Sequence, residues 1–539
     1  MSRIERFVFG DWTLDVSERR LSKSGRPVAL TPKSYDLLVA LVRHAGRLLT
    51  KRELLDAVWP EAFVEEGILT VHVSALRKVL RDSGGSATYI ETVPRSGYRF
   101  AAPVTRDDFD PHVLDGRWSL AVLPARPLTS GEGFAPSVGL AIADAIIDRL
   151  GRFDHIVVRP TRAIHSYEEG QHNPIDAGRT LRVDAVIEPR YQQTPDGLAI
   201  SAQLVRTTDG ARVWAGPIDH VPRAPEVYEQ VGRGRAHLLS ASFFQMPQAE
   251  AAFRAAIDVD PTYAAAHAGL ALTFCAQAEL RAISPAEGYS KARDAALRAL
   301  AMDDACADAQ VALATVLFLS EWDWIAAERS VVRALEINPN HTEAHLLYGR
   351  LLEALGKLQD GLAMKMRALE RDPLSPLVHL HVAMSYWNQR RYDDAIVWAN
   401  KTLELDPRHL LAREFLAGAY LAQGDYDRHM AENIRQAETV GMPAEALAPL
   451  KQAYEMGGRA AVVRFAIEHA SAHSQAIPHF QLAVLHGEAG DVDDAFSHLE
   501  KALDNHDPAL VHLAVAPQWD NLRADPRFTE CLTRMGLRS

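Results

Sequence analysis

Apolar residues recur along this chain with three periods in turn, and each period predicts a different architecture. At the start, FVFGDWTLDVSERRLS and RPVALT alternate apolar and polar positions, which predicts a short sheet. SYDLLVALVRHA and KRELLDAVW come next, with helical spacing. Pro32 sits in the opening turn of the first helix and Gly46 beyond its end. Thr50 has N-cap chemistry for the second, with Glu53 three residues on to complete a capping box. Leu69, Val73, Leu76 and Leu80 then recur at i, i+4, i+7 and i+11, one stripe of a third helix. Its opposite face carries Thr70, Ser74, Arg77, Lys78 and Arg81, two hydroxyls and three cations. An amphipathic surface helix with solvated Lys and Arg has the same pattern. The segment after the helix favours a binding face: TYIETV reads as a strand, PRSG as a turn with Arg95 at its tip, and YRF as a returning strand. A helix succeeded at once by a basic-tipped hairpin is the order of a recognition helix and its wing, the tip suited to a minor groove.

From residue 118 the pattern changes to alternating strand and helix. SLAVLP, HIVVRP and DAVIEPRYQQ are strand runs. GFAPSVGLAIADAIIDRLGRF and DAGRTLRV are helical, and LAISAQLVRTTDGARVWAGPI folds back as a hairpin. This predicts a small α/β domain over 118–222, after a polar, proline-bearing linker at 106–117. Asp144, Asp148, His155, His165 and Asp184 are its polar candidates. They lack nucleophile–base spacing, and no glycine-rich phosphate loop accompanies them, so they read as solvated or structural.

Beyond residue 225 the chain is alanine-rich and helical. Asp304, Asn338, Asp372 and Asp406 stand 34 residues apart, with Pro339, Pro373 and Pro407 after three of them. Small residues recur before each turn, as at Ala327/Ala334 and Ala395/Thr402, where paired helices approach closely. Phe318, Leu352, Tyr386 and Tyr420 fill a second repeating position. This is the tetratricopeptide pattern, and it predicts an all-α solenoid over 225–539. AEAAFRAAIDVDP reads as the second helix of an earlier repeat. The gap from Asp260 to Asp304 is 44 residues, which implies an insertion near AELRAISPAEG. APQWDNLRADPRFTECLTRMGL reads as a terminal cap. His341 and His345, at i and i+4, read as a surface pair in the absence of a third metal ligand. On the concave face, Tyr348, Trp387, Arg390 and Arg391 are candidate contacts for a protein or peptide partner.

Charge sharpens this division. The net charge is −12 over 539 residues, yet residues 1–105 hold 16 Lys/Arg against 12 Asp/Glu. That is +4 at the N-terminus and −16 elsewhere, placing the attraction to phosphate in the first domain. The three cysteines, Cys275, Cys306 and Cys531, have no metal spacing and read as buried thiols in a reducing compartment. There is neither a signal pattern nor an apolar run near the roughly 18 residues a membrane span needs. The expected location is the cytoplasm.

VHVSALRKVL with YIETVPRSGYRF resembles the winged-helix DNA-binding domain of OmpR/PhoB-type regulators, and TVPRSGYRF looks most like the ToxR/CadC-like branch. The resemblance covers roughly residues 5–103. The middle segment resembles the domain related to the TolB N-terminal region. The implied fold is multidomain: an α+β winged helix-turn-helix over 1–105, a small α/β domain, and a helical solenoid. The implied function is one-component transcription regulation on double-stranded DNA. Thr70, His72, Ser74, Arg77, Lys78, Arg81 and Arg95 are the DNA-binding candidates. Ala75 stands where the family usually has another basic or polar residue, which thins direct base readout. RNA polymerase and a homodimer on DNA are among the partners this reading admits. No cofactor, metal, catalytic residue or membrane contact is expected. The alternative is an interaction scaffold that uses the winged helix for protein docking; the four cations on helix and wing favour DNA.

Overall fold

The computed structural model describes residues 6–9, 12–16, 19–23, 26–28, 30–59, 64, 67–81, 89–94, 96–102, 104–107, 118–128, 136–168, 172–194, 197–221, 224–240, 243–472 and 477–537. The chain divides into two compact units. The first is Met1–Trp118 with Ala211–Ala215, and the second is Ser119–Gly210 with Gly216–Ser539.

The first unit opens with four antiparallel strands, β1 (Arg6–Phe9), β2 (Trp12–Asp15), β3 (Arg20–Lys23) and β4 (Arg26–Val28). Helices α1 (Pro32–Arg43), α2 (Lys51–Val58) and α3 (Gly67–Arg81) come after them, with β5 (Leu48–Thr50) before α2. The hairpin β6 (Ile90–Val93) and β7 (Gly97–Phe100) pairs through β7 with β5. Pro32 occupies the first turn of α1, and Thr50 with Glu53 forms the expected reciprocal capping box on α2. All four stripe residues of α3 are buried, with Trp12, Leu14, Leu37, Leu41 and Phe100 in the same core. Each such burial contributes roughly 1.5–3 kcal/mol. Two strands of this unit are additional to those the alternation predicts: β5, between the first two helices, and β8 (Thr105–Asp107), at the start of the expected linker, which pairs antiparallel with β1. Residues 108–117 lie outside the described residues.

In the second unit a sheet comes first, its Trp118 and residues 212–215 excepted, since these count with the first. Strands β9 (Trp118–Val122), β10 (Arg126–Pro127), β11 (Ile156–Val158), β12 (Ala185–Thr194), β13 (Gly197–Arg206) and β14 (Arg212–Val221) take the order β11-β9-β12-β13-β14, with β10 also on β12. Between them lie α4 (Pro136–Gly151), α5 (Thr161–Ile164) and α6 (Pro174–Thr180). The β9–β12 contact is parallel and β12–β13 is an antiparallel ladder, while β13 and its neighbour β14 are the two halves of the predicted hairpin.

Helical pairs then succeed one another: α7 (Pro225–Leu239), α8 (Met246–Val259), α9 (Ala264–Glu279), α10 (Pro285–Met302), α11 (Ala307–Val316) and α12 (Trp324–Ile337). The regular repeats are α13 (Thr342–Ala354) with α14 (Leu358–Arg371), α15 (Pro376–Asn388) with α16 (Tyr392–Leu405), and α17 (Leu410–Ala422) with α18 (Tyr426–Thr439). The 44-residue gap holds no inserted element. α9 and α10 run to 16 and 18 residues, where the regular repeats have 13 and 14. α19 (Ala444–Ala472) breaks at Gly457–Gly458, which accounts for its loss of register.

The sheet and the solenoid share one core. Val122, Ile142, Tyr228, Phe253, Val331 and Trp519 belong to a single buried cluster. Polar groups join them too. Asn340 Nδ2 donates to the Gly151 and Phe153 carbonyls at 3.1 and 3.0 Å, so the Asn-Pro-Asn turn of a repeat also grips the end of α4. The Arg159 guanidinium donates to the carbonyls of Leu181 and Arg182 on one side and of Glu370 and Arg371 on the other. Arg235 on α7 is held between Asp144 and Asp308.

The structure corrects two expectations. His345 is buried and His341 half-buried, rather than a surface pair: His341 caps α13 and meets Asp308 at 2.9 Å, and His345 Nε2 meets the Pro339 carbonyl. The C-terminal segment does more than cap the end of the stack. After α20 (His479–Ala489) and α21 (Val492–Asp504), it returns to earlier repeats through α22 (Pro526–Arg534). Asp507 accepts from Arg281, the Met535 carbonyl accepts from Trp324 Nε1 at 2.7 Å, and Asp520 pairs with Arg390. Cys275 and Cys531 are buried and Cys306 is partly so. No helix among the described residues is long and apolar enough to cross a membrane.

Candidate nucleic-acid interface

Burying Leu69, Val73, Leu76 and Leu80 turns the opposite side of α3 to solvent. Thr70, Val71, Ser74, Ala75 and Lys78 are exposed there, Val71 to 66%. These positions fall at i, i+1, i+4, i+5 and i+8, one continuous strip. Beside it runs a groove of about 770 Å³, lined by Lys51, Thr70, Ser74, Arg77, Lys78, Thr92 and Tyr98 among others. The hairpin forms its far wall. Thr50 pairs with Gly97 and Leu49 with Tyr98, and a Cβ at Gly97 would overlap the Leu49 carbonyl. That close approach requires glycine and draws the start of α2, with Lys51, up to the base of the wing.

The sequence-derived residues divide in the structure. Thr70, Ser74 and Lys78 share the groove, and the Thr70 hydroxyl lies 3.5 Å from the Tyr98 hydroxyl. Arg77 lines it as well, but its guanidinium is engaged within the domain. Nε and Nη2 donate to the Ile90 carbonyl at 3.2 and 2.8 Å, and Nη2 to Thr92 Oγ1 at 2.7 Å. Arg77 thus ties α3 to the first strand of the hairpin. His72 faces the interior, its Nδ1 2.9 Å from the hydroxyl of buried Ser34 and its ring 5.4 Å from Trp59. The side chain of Arg81 and all of Arg95 lie outside the described residues. Lys51, Val71, Thr92 and Tyr98 are the groove and strip residues that sequence reasoning missed. Only strand pairing brings three of them to α3, whereas exposed Val71 was readable from the helical spacing.

The solenoid candidates do not form one surface. The Tyr348 hydroxyl donates to Glu328 at 3.0 Å. Trp387 is buried at 8% exposure, edge-on to Tyr392 and Phe415. Arg390 donates to the Val515 carbonyl and pairs with Asp520, holding the returning C-terminal segment. Arg391 pairs with Asp394 and covers the Tyr386 ring at 4.6 Å.

Residues 25–100 match the family described as transcriptional regulatory protein, C terminal. Residues 366–409 and 383–432 match the tetratricopeptide repeat. The transcriptional activator CadC of Escherichia coli K12 is 40% identical over 96 residues, 18% of this chain and 19% of that relative. The transcriptional regulator HilA of Salmonella typhimurium LT2 is 24% identical over 420 residues, 73% of this chain and 75% of the relative. Among solved structures, the DNA-binding domain of Escherichia coli CadC matches at 35% identity. It covers 19% of this chain and 98% of that one, with a TM-score of 0.18. The chain therefore carries an OmpR/PhoB-type winged helix ahead of tetratricopeptide repeats, and these relatives are transcription regulators.

Proposed function

We propose that this protein is a cytoplasmic one-component transcription regulator that binds promoter DNA through its winged helix and takes input or recruits a partner through its repeats. One observation carries the reading: the exposed strip of α3 opens onto a groove lined by Lys51 and Lys78, with hydroxyls between them. Helix and groove suit a duplex, the strip entering the major groove and the cations meeting phosphates. Val71 and Ala75 add apolar surface of the kind that packs on thymine methyl groups. Thr70 and Ser74 reach base edges, and Lys78 and Arg81 hold phosphate. The similarity to HilA, which extends beyond the DNA-binding region, supports treating the repeats as part of the regulator. Their partner is a protein or peptide, with RNA polymerase one candidate, and a pair of copies on DNA fits tandem or palindromic half-sites.

Gel-shift titration of fragment 1–105 and of the full chain tests this. Both should bind duplex DNA, with affinity falling steeply as salt rises. No binding by the full chain to any genomic fragment at low salt would overturn it.

A further inference from the structure

We infer that α3 selects duplex DNA by a C5-methyl group in the major groove, carried by thymine or by 5-methylcytosine, with Val71 as the specificity-determining residue. The inference rests on the regulator reading and names what that same surface recognises. Val71 is the fifth residue of α3 and is 66% exposed. Among the described residues from 6 to 107 it is the one large apolar side chain left exposed. A single apolar side chain on a surface is ordinary; the position of this one is not. Ala75 stands exposed one turn further on, so the two make a short apolar ridge along the crest of the helix. Thr70 and Ser74, each one position earlier, run beside the ridge and line the groove, as Lys78 does. The groove lining takes in neither Val71 nor Ala75, so the ridge is left to whatever meets the helix from outside. In helix-turn-helix docking the first turns of the recognition helix meet base edges. Val71 falls there, whereas Lys78 is twelfth of the fifteen residues.

The other side chains of α3 narrow the class further. Guanine is read most often by a bidentate arginine, adenine by asparagine or glutamine, and cytosine by an acid. Residues 67–81 contain no asparagine, glutamine, aspartate or glutamate. Arg77 has the chemistry for guanine, but Nε and Nη2 are held by the Ile90 carbonyl and the Thr92 hydroxyl. His72 is turned inward, to Ser34 Oγ and the Trp59 ring. Lys78, a point charge toward the far end of the helix, suits phosphate. The hydroxyls of Thr70 and Ser74 bond to donors and acceptors alike and discriminate little. What remains to discriminate is the apolar ridge. Thymine is the one unmodified base with a methyl group in the major groove, and methylation at C5 gives cytosine the same group in the same place. Packing that methyl on Val71 withdraws two apolar surfaces from water at once. The helix thus separates A·T from unmodified G·C by apolar contact, and cytosine methylation strengthens binding as thymine does.

The test uses the full-length protein and a duplex that it enriches from a random-sequence pool. Each thymine of that site is replaced in turn by deoxyuridine, which removes the methyl and keeps every hydrogen-bonding group. Affinity should fall roughly fourfold at one or two positions, the worth of one buried methyl. In Val71→Ser, where the side chain is exposed and folding is not at stake, the same replacements should have no effect. At the sensitive positions a 5-methylcytosine·guanine pair is then compared with cytosine·guanine. A similar gain on methylation makes the methyl itself the feature read, on either base; a gain with thymine alone makes A·T pairs the class. Deoxyuridine without effect at every position, or with the same effect in Val71→Ser, overturns the proposal. A pool that yields no enriched site, or one free of thymine, overturns it as well and leaves the regulator reading in place. Failure to bind any duplex overturns both.

Discussion

Both units are rich in charged side chains, but they place them in opposite ways. In the first, α3 carries Lys78 in the open beside Thr70 and Ser74, on the rim of a groove. In the second, charges are taken inside and paired. Lys365 and Glu353 are both fully buried, Arg235 bridges Asp144 and Asp308, and Arg159 is spent on four carbonyls. A cation whose partner lies within the chain positions the fold, whereas one facing solvent remains available to a ligand. Arg77 belongs to the first unit by position but behaves like the second.

The largest effect should come from opening a buried pair. Glu353→Gln leaves Lys365 enclosed without its counter-ion and should cost the second unit about 3–5 kcal/mol in denaturant unfolding. Replacing both residues, as Glu353→Leu with Lys365→Met, should recover most of that. A loss below about 1 kcal/mol for the single variant would break the contrast.

The second unit should also respond to pH. Burial and neighbouring arginines lower the pKa of His345 to about 3, and burial with nearby cations also holds His381 and His512 well below the ordinary imidazole range. A histidine depressed below its ordinary 6.5 contributes stability that is complete above that pH and lost as pH falls toward the folded value. Asp372 has the opposite sign. Burial raises it to about 6, so its contribution is complete at low pH and fades as pH rises from about 4 to 6. His341, raised by Asp308, likewise loses its contribution above its ordinary range. Because the depressed histidines are more numerous, the melting temperature of the second unit should fall between pH 7 and 5. A rise over that interval would contradict this balance.

Arg77→Ala separates two roles. As a base reader bidentate to guanine, Arg77 would on its loss cost about 1–3 kcal/mol at one base position. As the tie between α3 and β6, its loss would weaken specific and random DNA alike. The hydrogen bonds to Ile90 and Thr92 favour the second outcome, and parallel titrations of a selected site and a random duplex distinguish them. A smaller effect, about 1 kcal/mol on the melting of the first unit, is expected from Thr50→Ala, which removes the capping box.

The range of each interaction decides whether it is legible in the sequence. The α3 stripe and the capping box depend on residues within a few positions of each other, and the repeats announce themselves by period. The route of Arg77 to Ile90, the approach of His72 to Ser34, and the placement of Lys51 against the wing depend on how elements dock. No periodicity encodes that. Asp507 meets Arg281 across 226 positions, so a segment that reads locally as a cap becomes part of the core. His341 reads as a surface residue until Asp308 is placed against it.

The groove reading stands or falls on whether the lysines that line it, Lys51 and Lys78, neutralise DNA phosphates. The direct measurement is the salt dependence of duplex binding by the full chain and by a Lys51→Ala/Lys78→Ala variant. Each lost phosphate contact should lower the slope of log affinity against log salt by about one. The variant slope should be shallower by about two, with similar weakening on every sequence. An unchanged slope would show that this groove does not hold the duplex.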